Sequence, residues 1–213
     1  MHLIIVSGCG GFLENKSKGG KMGILKLYMS GTLRTFGAFA WETAKIVIIS
    51  LLIILPIRYF VAQPFIVRGD SMYPNFQNGE YLIVNELTYR FNEVERGDVV
   101  VFRFPNDPKQ FFIKRIIGLP GETVRIEGGK VVIVSRTYPG GVVLGEPYIV
   151  EATPGNVEIR LDASEYFVLG DNRDASSDSR RWGPLPDHLV IGKAWLRAWP
   201  LDRAGAFTEQ PAY

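Results

Sequence analysis

The chain has 213 residues, of which 46% are apolar and 22% are charged, which is typical of a folded protein and excludes a disordered or collagen-like one. Its single cysteine, Cys9, excludes an intrachain disulfide, and its two histidines, His2 and His188, exclude a three-histidine metal centre. We therefore expect no metal or cofactor. Residues 1–62 carry a net charge of +5 and residues 63–213 one of −3, which argues against a body that binds nucleic acid.

The first predicted element is a membrane-spanning helix over residues 44–62. This stretch is apolar on every side, and as a helix it would extend about 28 Å, close to the thickness of the hydrocarbon core of a bilayer. Trp41 and Tyr59 flank the stretch as interfacial aromatic residues do, and Arg58 lies near enough to its end to reach water. The alternative is a buried helix of a soluble protein, which Pro56 and the shortness of the run favour.

Residues 1–43 are predicted to form a cytoplasmic segment, for which Met22 or Met29 is an alternative start. Positively charged residues stay on the cytoplasmic side of a membrane, and six of them stand before or at the start of the apolar stretch: Lys16, Lys18, Lys21, Lys26, Arg34 and Lys45. We therefore expect a single-pass protein of the cell membrane, in contact with the lipid bilayer, whose body lies outside. A removable signal peptide is less consistent, because bulky Phe60 stands where cleavage after Ala62 would need a small residue.

Beyond Pro64, short apolar runs separated by turn residues predict a mainly β body over residues 63–213, either a barrel or a sandwich. Gly128-Gly129 predicts the turn of a hairpin. Residues 123–162, which include the Gly- and Pro-rich stretch 135–155, look like an excursion from the main sheet. The predicted strands are 65–67, 81–85, 98–104, 111–117, 123–126, 130–134, 158–161, 166–169 and 192–198.

Three clusters in this body have residues suited to chemistry. Gly69 permits a tight turn, and such a turn would expose Ser71 with its backbone N–H directed into a site. Lys114 shares a strand face with Phe112 and Ile116, and lysine is seldom buried without a purpose or a partner. The third cluster is the polar stretch 170–180. Its alternating acidic residues resemble a calcium loop, but the intruding arginines do not fit that spacing and instead indicate an internally paired loop.

These clusters favour a Ser-Lys pair. A serine nucleophile needs a base, and with His188 as the only credible histidine a Ser-His-Asp triad has little support. A free lysine with a pKa near 10.4 is neutral in about one molecule in 2,500 at pH 7, whereas a pKa of about 8 raises that fraction to about one in eleven. Desolvation on the apolar strand face would lower the pKa of Lys114 in this direction.

Several motifs of the chain resemble, in the same order, those of bacterial type I signal peptidases, and the form around the serine is similar to Gram-positive members. The resemblance extends from about Ala44 to Pro200. It rests on SMYP at 71–74, GDVVVF at 97–102, KRIIGLPG at 114–121, GDNRD at 170–174 with DSR at 178–180, IGKA at 191–194 and WP at 199–200.

The resemblance implies a membrane-bound serine endopeptidase that cleaves signal peptides from exported preproteins. It makes Ser71 the nucleophile and an oxyanion donor through its backbone N–H, and Lys114 the general base. In the supporting loop, Ser176 would orient the lysine amine, Asp178 would pair with Arg180, and Asp171 would support the loop. Gly69 departs from members that carry a serine there as a second oxyanion donor, so that donor stays unassigned.

The resemblance also implies cleavage after small residues at the last and third-last positions of the signal peptide. An extended peptide along a strand edge points alternate side chains to one face, where they would enter adjacent pockets. The predicted pocket residues are apolar: Phe65, Val67, Met72 and Ile113.

Two other function classes stay open at this point. One is a self-cleaving repressor with a Ser-Lys site, although no helix-turn-helix pattern precedes Pro64. The other is a non-enzymatic, membrane-anchored β domain, or an inactive relative, that binds exported chains. Replacing Ser71 by alanine separates a catalyst from a binder.

Overall fold

A computed structural model of the chain describes residues 37–55 and 62–207. The chain divides into two compact units, Met1–Ile53 and Ile54–Tyr213. Most of the predicted cytoplasmic segment, residues 1–36, lies outside the described residues, and so do residues 56–61 of the predicted membrane span.

The N-terminal helix α1 comprises Gly37–Leu55 and is long and apolar enough to cross a membrane. Its large apolar side chains are mostly exposed, Leu52 by 68% for example, and this exposure extends to every face of the helix. The helix begins before Ala44, the first residue of the predicted span. Ala62, the predicted last residue of that span, is the first residue of a β-strand.

The second unit is built mainly from β-strands, as the sequence predicts. The strands are β1 Ala62–Ile66, β2 Tyr81–Asn85, β3 Val99–Phe104, β4 Asp107–Gly118, β5 Thr123–Glu127, β6 Lys130–Val134, β7 Val142–Val143, β8 Val157–Arg160, β9 Glu165–Leu169, β10 Leu185–Pro186, β11 Val190–Trp199 and β12 Gly205–Ala206. Two four-residue helices, α2 Thr88–Phe91 and α3 Ser179–Trp182, connect them.

The strands form two antiparallel sheets. The larger has eight strands in the order β1-β2-β11-β3-β4-β9-β10, with β12 beside β11, and the smaller has four in the order β7-β6-β5-β8. Within residues 62–207 the larger sheet ends at β1 and β10 without closing, so the predicted mainly β class is confirmed but the sheet is not a closed barrel. All strands of the smaller sheet come from the segment that the sequence assigns to an excursion.

The hairpin predicted at Gly128-Gly129 is present, because Glu127 pairs with Lys130 and the register continues to Thr123 and Val134. The longer predicted strands all have counterparts, with boundaries that differ by a few residues. The prediction misses β7, β10, β12 and both short helices, which contain too few residues to show a hydrophobic period.

Strand β4 runs from the surface into the interior of the second unit. Its first half is mostly exposed, whereas the five residues from Lys114 to Gly118 are all buried. These residues are covered on both faces: Ile117 packs in a core with the smaller sheet, and Ile116 packs with Val100, Phe102 and other residues of the larger sheet. Two consecutive charged residues, Lys114 and Arg115, are therefore held inside the protein on opposite faces of one strand.

Candidate active site

Ser71 lies in a tight turn that follows β1. The turn closes where the backbone N–H of Tyr73 donates to the carbonyl of Asp70, with a nitrogen–oxygen distance of 3.1 Å. Gly69 precedes it with a φ of 85°, a left-handed conformation that glycine adopts without a steric penalty. Among the described residues, the N–H of Ser71 donates no hydrogen bond, so this donor is available to an oxygen that enters the site.

Lys114 reaches this serine from β4. Its Nζ lies 2.7 Å from the Oγ of Ser71 and 2.9 Å from the carbonyl oxygen of Ile113. The same nitrogen lies 5.6 Å from the centre of the Phe112 ring, and the residue is only 4% exposed. The two side chains, 43 positions apart in the sequence, thus form a hydrogen-bonded pair.

Burial lowers the pKa of Lys114 from 10.5 to about 8, although the negative charges of Asp178 and Asp171 oppose this shift. The cause is desolvation, which disfavours the ammonium form. At such a pKa a substantial fraction of the amine is neutral near pH 8 and can accept a proton.

The loop formed by residues 170–180 packs against the turn that carries Ser71. The N–H of Asn172 donates to the carbonyl of Ser71 at 3.1 Å. Within the loop, Asp178 accepts two hydrogen bonds from Arg180 at 2.8 Å and one from the N–H of Gly170 at 3.1 Å. Although burial opposes it, the hydrogen bonds and charge of Arg180 hold the pKa of Asp178 below its usual range. Asp178 is therefore an anion that ties the two ends of the loop together.

Asp171 and Arg173 pair with residues outside the loop, so the prediction of an internally paired loop is correct only for Asp178 and Arg180. Asp171 accepts from both Nε and Nη2 of Arg115, at 2.8 and 2.6 Å, and this carboxylate is fully buried. Arg173 pairs with Glu146, which belongs to the excursion. The loop is therefore fastened to β4 on one side and to the excursion on the other.

Ser176 is buried beside Gly170, but among the described residues its hydroxyl makes no hydrogen bond to Lys114. It lies against Asp178 instead and helps to lower the pKa of that carboxylate. The amine of Lys114 is oriented by the carbonyl of Ile113, a backbone group that no sequence motif identifies.

A cavity of about 650 Å³ contains Ser71 and Lys114. Of the four predicted pocket residues, Phe65, Val67 and Ile113 line it. Met72 does not, because it is only 1% exposed and packs into the core with Phe76 and Leu82, among others. The turn directs the side chain of Met72 away from the cavity. Its position next to Ser71 in the sequence therefore does not predict a place in the cavity wall. Further lining residues that the sequence reasoning missed include Leu82, Val101, Gln110, Ala175 and Ser177.

A profile of the family described as "Signal peptidase, peptidase S26" matches residues 40–199 of this chain, which is well over half of its length. The chain belongs to the signal peptidase family, peptidase S26. It is thus a hydrolase, and the resemblance seen in its motifs is confirmed.

Curated relatives of this signal peptidase family member align with most of its chain. It is 38% identical over 185 residues to a probable signal peptidase I-1 of Synechocystis sp., an alignment that covers 82% of this chain and 91% of the relative. It is 35% identical over 172 residues to a signal peptidase I of Bacillus amyloliquefaciens, covering 75% and 86%. A crystal structure of a signal peptidase I from Enterococcus faecalis V583 is 31% identical, with a TM-score of 0.42, and covers 48% of this chain and 97% of that chain.

The peptidase has a second cavity, of about 670 Å³, that does not include Ser71 or Lys114. Its cationic side chains are held by carboxylates: Arg115 by Asp171, Lys193 by Asp98, and both Arg197 and Arg203 by Glu80. Across residues 37–55 and 62–207, no group of three or more His, Cys, Asp or Glu residues is placed to hold a metal ion.

Replacing Gly170 by alanine tests the contact between the loop and the serine turn. A Cβ at this position would overlap the carbonyl oxygen of Ser71 and the hydroxyl of Ser176. We expect the variant to lose at least tenfold in peptidase turnover and about 1–3 kcal/mol in the free energy of unfolding. Gly140→Ala is the control, because a Cβ there meets no atom within 4 Å. Turnover of Gly170→Ala equal to that of the control would contradict the tight contact.

Proposed function

We propose that this protein is a membrane-anchored serine endopeptidase that removes signal peptides from exported preproteins with a Ser71–Lys114 dyad. The observation that carries the proposal is the 2.7 Å distance between the Oγ of Ser71 and the buried Nζ of Lys114. The relatives named signal peptidase I support the substrate class.

In the first step, the Oγ of Ser71 attacks the carbonyl carbon of the scissile peptide bond while its proton passes to the neutral amine of Lys114. The N–H of Ser71 stabilises the oxyanion that forms on the substrate oxygen. Lys114 then gives its proton to the leaving nitrogen as the carbon–nitrogen bond breaks, which leaves the signal peptide as an ester on Ser71.

In the second step, a water molecule attacks the ester carbon and Lys114 takes a proton from that water. The ester bond breaks, the proton returns to the Oγ of Ser71, and the signal peptide leaves with a free carboxyl group, which releases the remaining proton of the water to solvent. One residue serves as base and acid in turn, and its pKa of about 8 allows both states to be populated near neutral pH.

The cavity beside the dyad supports recognition of an extended peptide. Strand β1 is at the edge of the larger sheet, so its outer side can accept a peptide as an added strand. Phe65 and Val67 lie two positions apart and both line the cavity, together with Ile113 from β4. Apolar walls of this kind accept a methyl group and exclude a large ring by overlap.

The apolar helix α1 supports membrane anchoring. Its exposed apolar side chains need a non-aqueous environment, and lipid acyl chains supply one. The charge of +5 over residues 1–62 supports an N-terminus in the cytoplasm and a body outside, where exported chains emerge.

Activity should depend on pH through Lys114. Because the neutral amine is the base and burial lowers its pKa to about 8, we expect the rate to rise about fivefold between pH 7 and pH 8 and to level off above pH 9. Ser71→Ala should be folded and inactive, and Lys114→Arg should be inactive because a guanidinium stays charged. Initial rates of cleavage of a purified preprotein measure both effects. Substantial turnover by Lys114→Arg would refute the dyad.

The substrate should be read at alternate positions. Replacing alanine by phenylalanine at the last or third-last residue of the signal peptide should abolish cleavage, because the ring overlaps the cavity walls. The same change at the intervening residue should be tolerated, since that side chain points away. Competition among the three variant preproteins measures this directly, and equal cleavage of all three would rule out alternate pockets.

Topology can be measured on cells from which the wall has been removed. Protease added outside should degrade the β body and leave the segment before α1 intact. In permeabilised cells the same protease should also cleave that segment, which shows that the segment is cleavable once it is accessible. A body that stays intact in the unpermeabilised cells would reverse the proposed orientation.

A further inference from the structure

Residues 145–153, here called the strap, leave the smaller sheet after β7 and contact the 170–180 loop. Glu146 in the strap has a side chain that is only 6% exposed. One of its oxygens accepts from Nη2 of Arg173 at 2.5 Å and from the hydroxyl of Tyr148 at 2.8 Å. Its other oxygen accepts from Nη1 of Arg173 at 3.2 Å. The proposed reaction gives Glu146 no role, although burying a carboxylate is costly.

The partner of this carboxylate is deep inside the loop. The side chain of Arg173 is fully buried, and its Nε donates to the carbonyl of Gly170 at 3.0 Å. It also donates to the hydroxyl of Thr153 at the far end of the strap. Arg173 thus connects the strap to Gly170, the residue that touches both Ser71 and Ser176.

The strap has a second attachment near the dyad. The ring of Tyr148 lies under the guanidinium of Arg115, with 4.1 Å between Cζ and the ring centre. Its carbonyl accepts from the Nδ2 of Asn75 at 2.8 Å, and the same Nδ2 donates to Asp171 at 2.8 Å. Asn75 belongs to the segment just after Ser71. The strap is therefore bound to both sides of the contact between loop and serine turn.

We propose that Glu146 is a positioning residue for the Ser71–Lys114 dyad, acting through its buried ion pair with Arg173 to hold the 170–180 loop closed over the lysine. This proposal rests on the proposed function for its catalytic readout. Loop residues Ala175 and Ser177 line the same cavity as Lys114, so the position of the loop decides how much water reaches the amine.

Neutralising Glu146 leaves Arg173 as a buried cation without its carboxylate, a state that favours opening of the loop to water. Water at the site then restores the ammonium form of Lys114. The charged groups that act on Lys114 are Asp178 and Asp171, each held by its own arginine, Arg180 and Arg115. An opened loop also moves these carboxylates, but removal of desolvation is the dominant effect because burial is the main cause of the lowered pKa.

The test is Glu146→Gln in the full chain in detergent micelles, with a purified preprotein as substrate. We expect the rising limb of the pH–rate profile, which reports deprotonation of Lys114, to move up by about one pH unit; this shift lowers turnover at pH 7 about ninefold and leaves little deficit at pH 10. KM should change by less than twofold. Hydrogen exchange should become faster in residues 170–176 and stay unchanged in the 123–134 hairpin.

The matched control is Glu158→Gln, which breaks the exposed ion pair between Glu158 and Arg125 in the smaller sheet. It should keep the wild-type pH profile and exchange rates. Glu146→Asp retains the charge and should recover part of the wild-type profile. A Glu146→Gln variant with an unshifted pH limb and unchanged exchange in the loop would overturn the proposal.

Two further measurements keep the proposal testable if Glu146→Gln does not fold or if the wild-type chain is inactive. If Glu146→Gln does not fold, Tyr148→Phe removes one hydrogen bond to Glu146 and keeps the ring under Arg115. Tyr148→Phe should then move the limb of the pH–rate profile up and make hydrogen exchange in the loop faster, both by less than expected for Glu146→Gln. No change in either measurement would overturn the proposal. If the wild-type chain cleaves no preprotein, the proposed function fails, whereas hydrogen exchange in the 170–180 loop still tests by itself whether Glu146 holds that loop closed.

Discussion

The burial of one lysine amine is the constraint on which the site depends. An ammonium group strongly prefers water, so Lys114 stays in the interior only because the folded chain around it excludes water. The second half of β4 is covered on both faces, by the core that Ile117 shares with the smaller sheet on one face and by the core around Ile116 in the larger sheet on the other. The same desolvation that costs stability lowers the pKa of this amine to about 8, as its proposed role as a base requires.

Three buried ion pairs hold the loop that closes this environment. Arg115 with Asp171, Arg173 with Glu146 and Arg180 with Asp178 fasten it to β4, to the strap and to itself. Buried pairs contribute little net stability because desolvation offsets their attraction, but each demands one geometry. The pairs are therefore better explained as devices that specify where the loop lies than as sources of stability. Gly170 completes the contact, since a side chain there would separate the loop from Ser71.

Local sequence patterns predicted the elements whose signals are contained in a few residues. The Gly-Gly hairpin and the strands 81–85 and 130–134 match the structure, because turn chemistry and alternating or apolar runs are local properties. Two-residue strands such as β10 have no such signal. For Met72 a local argument gave a wrong prediction. Its position next to Ser71 suggested a pocket wall, but a turn directs consecutive side chains to different sides, and Met72 packs in the core.

The sequence by itself determined the chemistry available to this protein: one cysteine and two histidines leave hydroxyl, amine and carboxylate groups, and the ordered motifs select Ser71 and Lys114 among them. It also determined the apolar helix and the mainly β body, since hydrophobic patterning is readable one segment at a time. Only the tertiary structure decided the partners of Asp171 and Arg173, which lie 56 and 27 positions away along the chain. Charges pair according to distance in space, and that distance exists only after two sheets and their loops have packed together.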